Sequence, residues 1–420
     1  MSVEVINGQQ TKLSGLPAHW KQTRMGSAVG EYQLEKNEDP NPVVLSLTKE
    51  GVKVKTDLSF GKSTENYVGH QIVEEGQFVF TPRDFDATPI LCGIGQTRGC
   101  ISNLYMVFDV AEDFDTQFLE YYFWGLKWGY DYFAQLSYGM RYSFNREQFE
   151  RIPLAWPDLE EQKQIVAYLD RETARIDGLI EKKNRFIALL KEKRVAVIAH
   201  AVTKGLNRNA PMKAGDFKAI GAVPAHWDIS PVSRALMLSK STVGKRSDEF
   251  KLLSLTTRGV IERDISENFG KFPESFDTYQ QVQPGNFVFC LFDIDETPRT
   301  VGRSDLHGMI TGAYAVFECI APAYSDFLYY LFLHLDNFKG LKPFYTGLRK
   351  TIRPPRFTSI RVPFPPEDEA KRIVEHIEHE TAKIDTLITK TEQSIALLKE
   401  KRAALITAAV TGKIDVRTAA

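Results

Sequence analysis

The chain has 420 residues, of which 43% are hydrophobic and 25% charged, and its formal net charge is −1. This is the composition of an ordinary globular protein, long enough for roughly two to four domains, and it excludes an intrinsically disordered chain. Near-neutrality also excludes a generally basic polyanion binder, so a nucleic-acid partner has to meet a local basic surface.

The opening "MSVEVINGQQTKLSG" is polar, without the apolar core of a signal peptide, and nowhere do about 18 apolar residues run uninterrupted, so a cytoplasmic protein is expected. Cys92, Cys100, Cys290 and Cys319 show no C-x-x-C spacing, which predicts reduced thiols rather than a zinc knuckle or a redox pair. After "PAHW" at 17–20 come short β-type runs such as "QFVF" and "LYMVF", broken by Gly, Pro, Asp and Asn, and then a more helical aromatic stretch, "FLEYYFWGLKWGYDYF". Residues 1–156 therefore read as a mixed α+β globular domain with a twisted sheet. Pro157 and Asp158, followed by acids, start a long helix, placed at 157–206. Leu169, Ile176, Leu190 and Val197 fall on its seven-residue grid, widened by Ile165, Ile180 and Ile187, with Lys183 at the polar middle position. With no internal proline, roughly 45 residues can run for about 65 Å.

Everything then recurs. "IALLKEKR" stands at 187–194 and again at 395–402, and the match extends outward at an offset of 208 or 209: "PAHW" returns at 224–227, "LSLT" (45–48) at 253–256, "GQFVF" (76–80) as "GNFVF" (285–289). The second domain spans 207–364, and Pro365, Pro366 and Glu367 start a second helix within 365–420. Ile377, Ile384, Leu398 and Leu405 repeat the grid, flanked by Ile373, Ile388 and Ile395, with Thr391 at the middle. Each copy thus has an apolar stripe that nothing of its own covers. The two helices are expected to cover each other as an antiparallel coiled coil with pseudo-two-fold symmetry, a ruler carrying two heads. Duplex DNA suits such an object, since half-sites read from one side lie about 34–36 Å apart. Heads of different sequence would read different half-sites.

The "LPAHW" opening, the passage "YGMR…IPLAWPDLEEQKQIVAYLDRETARID" and the closing "AVTGK" resemble the specificity subunit of type I restriction-modification systems, over nearly the whole chain. In that family a target recognition domain ends in a Gly-x-x-Arg-like stretch and a Pro-rich turn, and a Glu-Gln-x-x-Ile helix start follows. The second copy departs from this, with Glu369-Ala370 at the Glu-Gln position, and the entry motif has alanine-histidine where glycine is usual before the tryptophan. The resemblance implies a non-enzymatic subunit of a bacterial or archaeal cytoplasm. It would bind a split DNA sequence and hold two methyltransferase subunits, with a restriction and translocase subunit joining for cleavage. S-adenosylmethionine, ATP and Mg would then sit on the partners and no cofactor on this chain.

No catalytic constellation emerges from the residues. "NPVV" (41–44) lacks the second proline and the aromatic of an adenine methyltransferase motif; "GKST" (61–64) lacks the first glycine of a phosphate loop; "GIGQTRG" (93–99) lacks G-x-G-x-x-G spacing and reads as a turn. His376 and His379 stand one helical turn apart on what reads as a solvated face, and His19 and His226 read as structural caps beside packed tryptophans. Base and phosphate contact wants Arg, Lys, Asn and Gln in loops. The matching strings "SYGMRYSFNRE" and "YTGLRKTIRPPR" nominate Arg141, Tyr142 and Arg146 in the first head and Arg349, Lys350 and Arg353 in the second. Earlier loops add Arg83, Gln96 and Arg98, and Arg258, Arg299 and Arg303. The aromatic stretches read either as core or as methyltransferase docking surface. The rival function is a two-module protein-interaction scaffold on a coiled coil, binding no DNA.

Overall fold

A computed structural model describes residues 3–6, 9–13, 15–30, 35–56, 66–83, 89–130, 132–133, 145–263 and 275–418. The chain forms two compact units, Met1–Asn184 with Glu392–Ala420, and Arg185–Thr391.

In the first unit Phe78–Phe80 is the central strand of an antiparallel sheet, between Met106–Phe108 and Cys92–Ile94. Lys21–Arg24 pairs with Pro153–Trp156, Leu45–Thr48 with Gly51–Val54, and Gln71–Val73 with Gly99–Ile101. Its helices are α1 (Thr116–Tyr130), α2 (Arg146–Glu150) and the first part of α3 (Leu159–Lys204). The second unit repeats the pattern. Phe287–Phe289 lies between Ala315–Cys319 and Val301–Arg303, Asp228–Pro231 pairs with Arg361–Phe364, and α4 (Ser325–Asn337), α5 (Pro354–Ser359) and α6 (Glu367–Ala409) follow. The twisted sheet expected in each head is divided into antiparallel pieces of two to four strands, each strand only three to five residues long.

Alternating large apolar residues fill each interior. Phe78, Phe80, Phe108, Phe123 and Phe149 form one aromatic core, with Phe108 stacked on Phe149 at 4.4 Å. Phe287, Phe289, Phe317, Phe332 and Phe357 form the other. The aromatic stretches identified in the sequence turn their Phe118, Leu119, Tyr122 and Phe123, and their Phe327, Leu328, Leu331 and Phe332, into these cores.

Asp158 caps α3, accepting the Glu161 N–H at 2.9 Å, and α6 begins after Pro366 with Glu367, Asp368 and Glu369 in its first turn, where a helix dipole favours acids. Glycines in the left-handed region, Gly205 (φ 68°) and Gly412 (φ 68°), follow the two helices. In the first unit Ile165 and Leu169, near the start of α3, share the core with Ile406 and Val410 at the end of α6, and further along Asp177 meets Arg402 at 3.1 Å. In the second, Ile198 and Val202 at the end of α3 share the core with Ile373 and Ile377 at the start of α6, and Arg194 meets Asp385 at 3.2 Å. Start lies with end in both units, so the pairing is antiparallel. Asp177 and Asp385 are repeat equivalents, as are Arg194 and Arg402, so exchanging the copies converts one ion pair into the other.

The seven-residue grid is followed at Leu169 and Ile176 and at Ile377 and Ile384, all buried. At the far ends burial moves one position on, from Val197 to Ile198 and from Leu405 to Ile406. A straight helix of 3.6 residues per turn drifts against a 3.5 grid, and at these ends the helix faces a globular core instead of another helix. Thr391 is buried, its hydroxyl donating to the Leu387 carbonyl at 2.7 Å, while Lys183 is half-buried. Gly129 and Gly125 of α1 admit α6 closely, since a Cβ there would lie 2.0 Å from Thr407 Cγ2 and 2.6 Å from Val410 Cγ2. Among the described residues no helix is long and apolar enough to cross a membrane.

Candidate nucleic-acid interface

Each head is tied to its long helix through the PAHW turn. His19 Nε2 and Trp20 Nε1 reach the two carboxylate oxygens of Glu161 at 2.9 and 3.0 Å, and His226 Nε2 reaches Glu369 at 2.7 Å, so both histidines hold a helix start. Gln162 is fully buried; its amide donates to the Pro157 and Asp113 carbonyls and its oxygen accepts the Asp115 N–H. Ala370 replaces it in the second copy, where the matching Pro365 carbonyl accepts from the Tyr324 hydroxyl at 3.1 Å. The departure from Glu-Gln is thereby compensated from another element.

In the second head two loops are stitched together: the Asp293 N–H donates to the Arg349 carbonyl at 3.0 Å and the Ile352 N–H to the Leu291 carbonyl at 2.8 Å. Between them Thr346 and Thr351 exchange backbone hydrogen bonds, closing a short hairpin. Lys350 turns back to Asp295 at 3.1 Å, and Lys342 approaches the same carboxylate at 3.4 Å. Desolvation works against ionisation of Asp295, and the two lysines beside it outweigh this, holding this carboxyl below its ordinary value. Arg349, Arg353 and Arg356 are exposed around a concavity of about 900 Å³ and have no acidic partner among the described residues. Arg356 was not singled out from the sequence, although it closes the same "YTGLRKTIRPPR" string.

The other nominated residues are placed differently. Arg299 bonds Asp336 at 3.1 Å, a carboxylate only 4% exposed that also accepts from Thr300 and Lys339. Arg303 pairs with Asp326 and lies over the Tyr329 ring. Arg258 is exposed at the tip of the hairpin between Leu253–Thr256 and Gly259–Glu262. In the first head Arg98 lies between Glu35 and Glu74, Arg146 bonds Glu150 at 2.6 Å and covers the Phe108 ring, and Arg83 and Gln96 are exposed. Arg141 and Tyr142 lie outside the described residues. Sequence reading also passed over Lys36 and Asn103, bonded at 2.9 Å, which with Gln71 and Arg146 line a pocket of about 310 Å³.

"GIGQTRG" joins two strands, as a turn, and "GKST" falls outside the described residues. His376 and His379 are exposed on α6, and among the described residues no three His, Cys, Asp or Glu side chains gather as a metal site.

Glu120 of α1 lines a groove of about 780 Å³ in the first unit, beside Trp124, Trp128 and Arg402. Burial, then the charge of Asp170, pushes its carboxyl from 4.5 up to about 7 against the pull of Lys53. The folded state thus binds a proton between those values that the unfolded chain has released, and stability falls as pH rises through them. Glu120→Gln is expected to stabilise the protein at pH 8 by about 2–3 kcal/mol, with the gap closed below about pH 4.5. Urea unfolding at the two pH values checks this; a pH-independent gap would remove the assignment.

The chain thus carries two heads of one fold, each followed by a long helix. No protein-family model matches it. It is 24% identical over 298 residues to the type I restriction enzyme MjaVIII specificity subunit of Methanocaldococcus jannaschii, covering 65% of this chain and 64% of that one. It is also 24% identical over 215 residues to the EcoKI specificity subunit of Escherichia coli, covering 46% and 44%. The chain thus spans less than two thirds of the length of the curated relatives it matches. A solved structure from work on assembly and conformational transition of the type I R-M system covers 96% of this chain and 100% of its own, with a TM-score of 0.68 at 15% identity. The HsdS subunit from Thermoanaerobacter tengcongensis covers 95% and 98%, with a TM-score of 0.52 at 15% identity. The chain is a relative of type I restriction-enzyme specificity subunits and has their fold.

Proposed function

We propose that this chain is the non-catalytic DNA-recognition subunit of a type I restriction-modification complex. Each head reads one half of a split, asymmetric duplex target, and the paired helices set the number of bases between the halves. The observation that carries this reading is the rim of the second head: three exposed arginines without acidic partners among the described residues, Arg349 on a hairpin braced from behind by Lys350 and Asp295, and Arg353 and Arg356 at the start of and within the short helix α5. Phosphate contact requires such charges, and their rigid mounting suits register on a duplex.

Exposed leucines recur at equivalent positions of the helices, Leu179 with Leu387 and Leu189 with Leu397. Apolar side chains kept outward at the same places in both copies suit the docking of two identical partners, here the methyltransferase subunits. The restriction and translocase subunits join that assembly, and S-adenosylmethionine, ATP and Mg belong to the partners' chemistry.

Lengthening both helices tests the ruler. Inserting one turn after Asp177 and one after Asp385 is expected to change the number of unread bases in the methylated motif of the host genome while both halves stay the same. An unchanged spacing would sink the ruler.

A further inference from the structure

Leu348 is 104% exposed, more open than a leucine in an extended reference chain, and it stands at the tip of the Thr346–Thr351 hairpin. The hairpin does not let it fold back. Gly347 (φ 70°) and Lys350 (φ 44°) take left-handed conformations, the Lys350 N–H donates to the Gly347 carbonyl at 3.1 Å, and the Thr346 hydroxyl donates to the Thr351 carbonyl at 2.9 Å. Behind the tip the Arg349 carbonyl is tied to Asp293 and the Lys350 ammonium to Asp295. A leucine held out this way loses all burial within its own fold, so its apolar surface is covered by something else or by nothing.

Its neighbours say what kind of surface suits it. Arg349, Arg353 and Arg356 surround it without acidic partners among the described residues. A purely apolar protein pocket would strip water from these guanidinium groups and return nothing. A duplex presents apolar base faces a few ångströms from a row of phosphates, and leucine and methionine are among the side chains that enter base steps. In the first copy the equivalent tripeptide Gly139-Met140-Arg141 places methionine at this position, outside the described residues.

We infer that Leu348 is a wedge that enters the stack between two base pairs of bound duplex DNA while Arg349, Arg353 and Arg356 hold the flanking phosphates. The inference rests on the DNA-recognition reading above. Opening a step bends the duplex, so the second head reads the deformability of its half-site in addition to base edges.

The test uses the full chain and a 30-base-pair duplex pool of randomised sequence at low salt, with binding followed by anisotropy and unstacked thymines by permanganate. The wild type is expected to bind and to raise thymine reactivity at one step of the recovered duplexes. Leu348→Ala is expected to bind at least about tenfold more weakly and lose the reactivity, with the salt dependence unchanged, while Leu348→Met keeps both. Because Leu348 touches no core, all variants should unfold at the wild-type temperature. Equal affinity and equal reactivity for wild type and Leu348→Ala would overturn the wedge alone. Undiminished binding by a chain with all three arginines replaced by alanine would overturn the DNA reading of this loop, and the wedge with it.

Discussion

If the proposed reading holds, replacing Arg349, Arg353 and Arg356 together by alanine is expected to lower the affinity of the full chain for duplex DNA on the order of a hundredfold at low salt and to flatten its salt dependence by nearly three. Each guanidinium that neutralises a phosphate releases about one counterion, so the slope of log affinity against log salt should fall by about 0.9 for each residue removed. The fold should be untouched, since none of the three has an acidic partner among the described residues and all are exposed. Arg299→Ala provides the contrast. Its partner Asp336 is buried and would keep only Lys339 and Thr300, so stability rather than the salt slope should suffer. A triple variant with an unchanged slope would mean that these arginines do not meet phosphates.

Trp227→Ala is expected to destabilise the protein by about 3–5 kcal/mol, the largest effect of any single substitution considered. The indole is fully buried, edge-on to Phe327 at 5.9 Å, and closes on Gly205 at the end of α3, so its removal opens a cavity where three elements meet. Its counterpart Trp20 differs in one respect: Trp20 Nε1 donates to Glu161 at 3.0 Å, while Trp227 Nε1 is buried without an acceptor among the described residues. Trp227→Phe should therefore cost about 1 kcal/mol, and Trp20→Phe about 1.5–3 kcal/mol more than the shape change alone, because a partly buried carboxylate loses a donor. Denaturant unfolding of the variants decides this; equal costs for the two phenylalanines would contradict the assigned roles of the indole nitrogens.

The duplication, the helix starts at Asp158 and Pro366, and the apolar grids were legible because they depend on local pattern. Antiparallel pairing followed from stripes left uncovered in each copy, and the exchanged ion pairs Asp177–Arg402 and Arg194–Asp385 express it in side chains. What sequence does not carry is which bases are already engaged. Arg98, in a glycine-containing turn, and Arg303, at the end of the strand Val301–Arg303, look in sequence like phosphate ligands, yet their acids, Glu35 and Asp326, lie 63 and 23 residues away and are brought in only by the fold. Arg356 shows the converse, an exposed charge onto which no acid among the described residues folds. The shift from Val197 to Ile198 was equally hidden, since a seven-residue grid assumes that the helix faces a helix to its end. The replacement of Gln162 by Tyr324 in the second copy could not be read either, because the two residues come from different elements that share one carbonyl equivalent, Pro157 and Pro365.

The central claim is that the two heads read DNA independently. The most direct measurement is a methylation map of the genome of a host carrying this chain with a companion adenine methyltransferase, beside a host in which residues 20–150 are exchanged for another head. The predicted result is a split, asymmetric motif of which one half changes while the other half and the spacing are kept. A motif indifferent to the exchange, or no motif in either host, would contradict the account and leave a protein-interaction scaffold in its place.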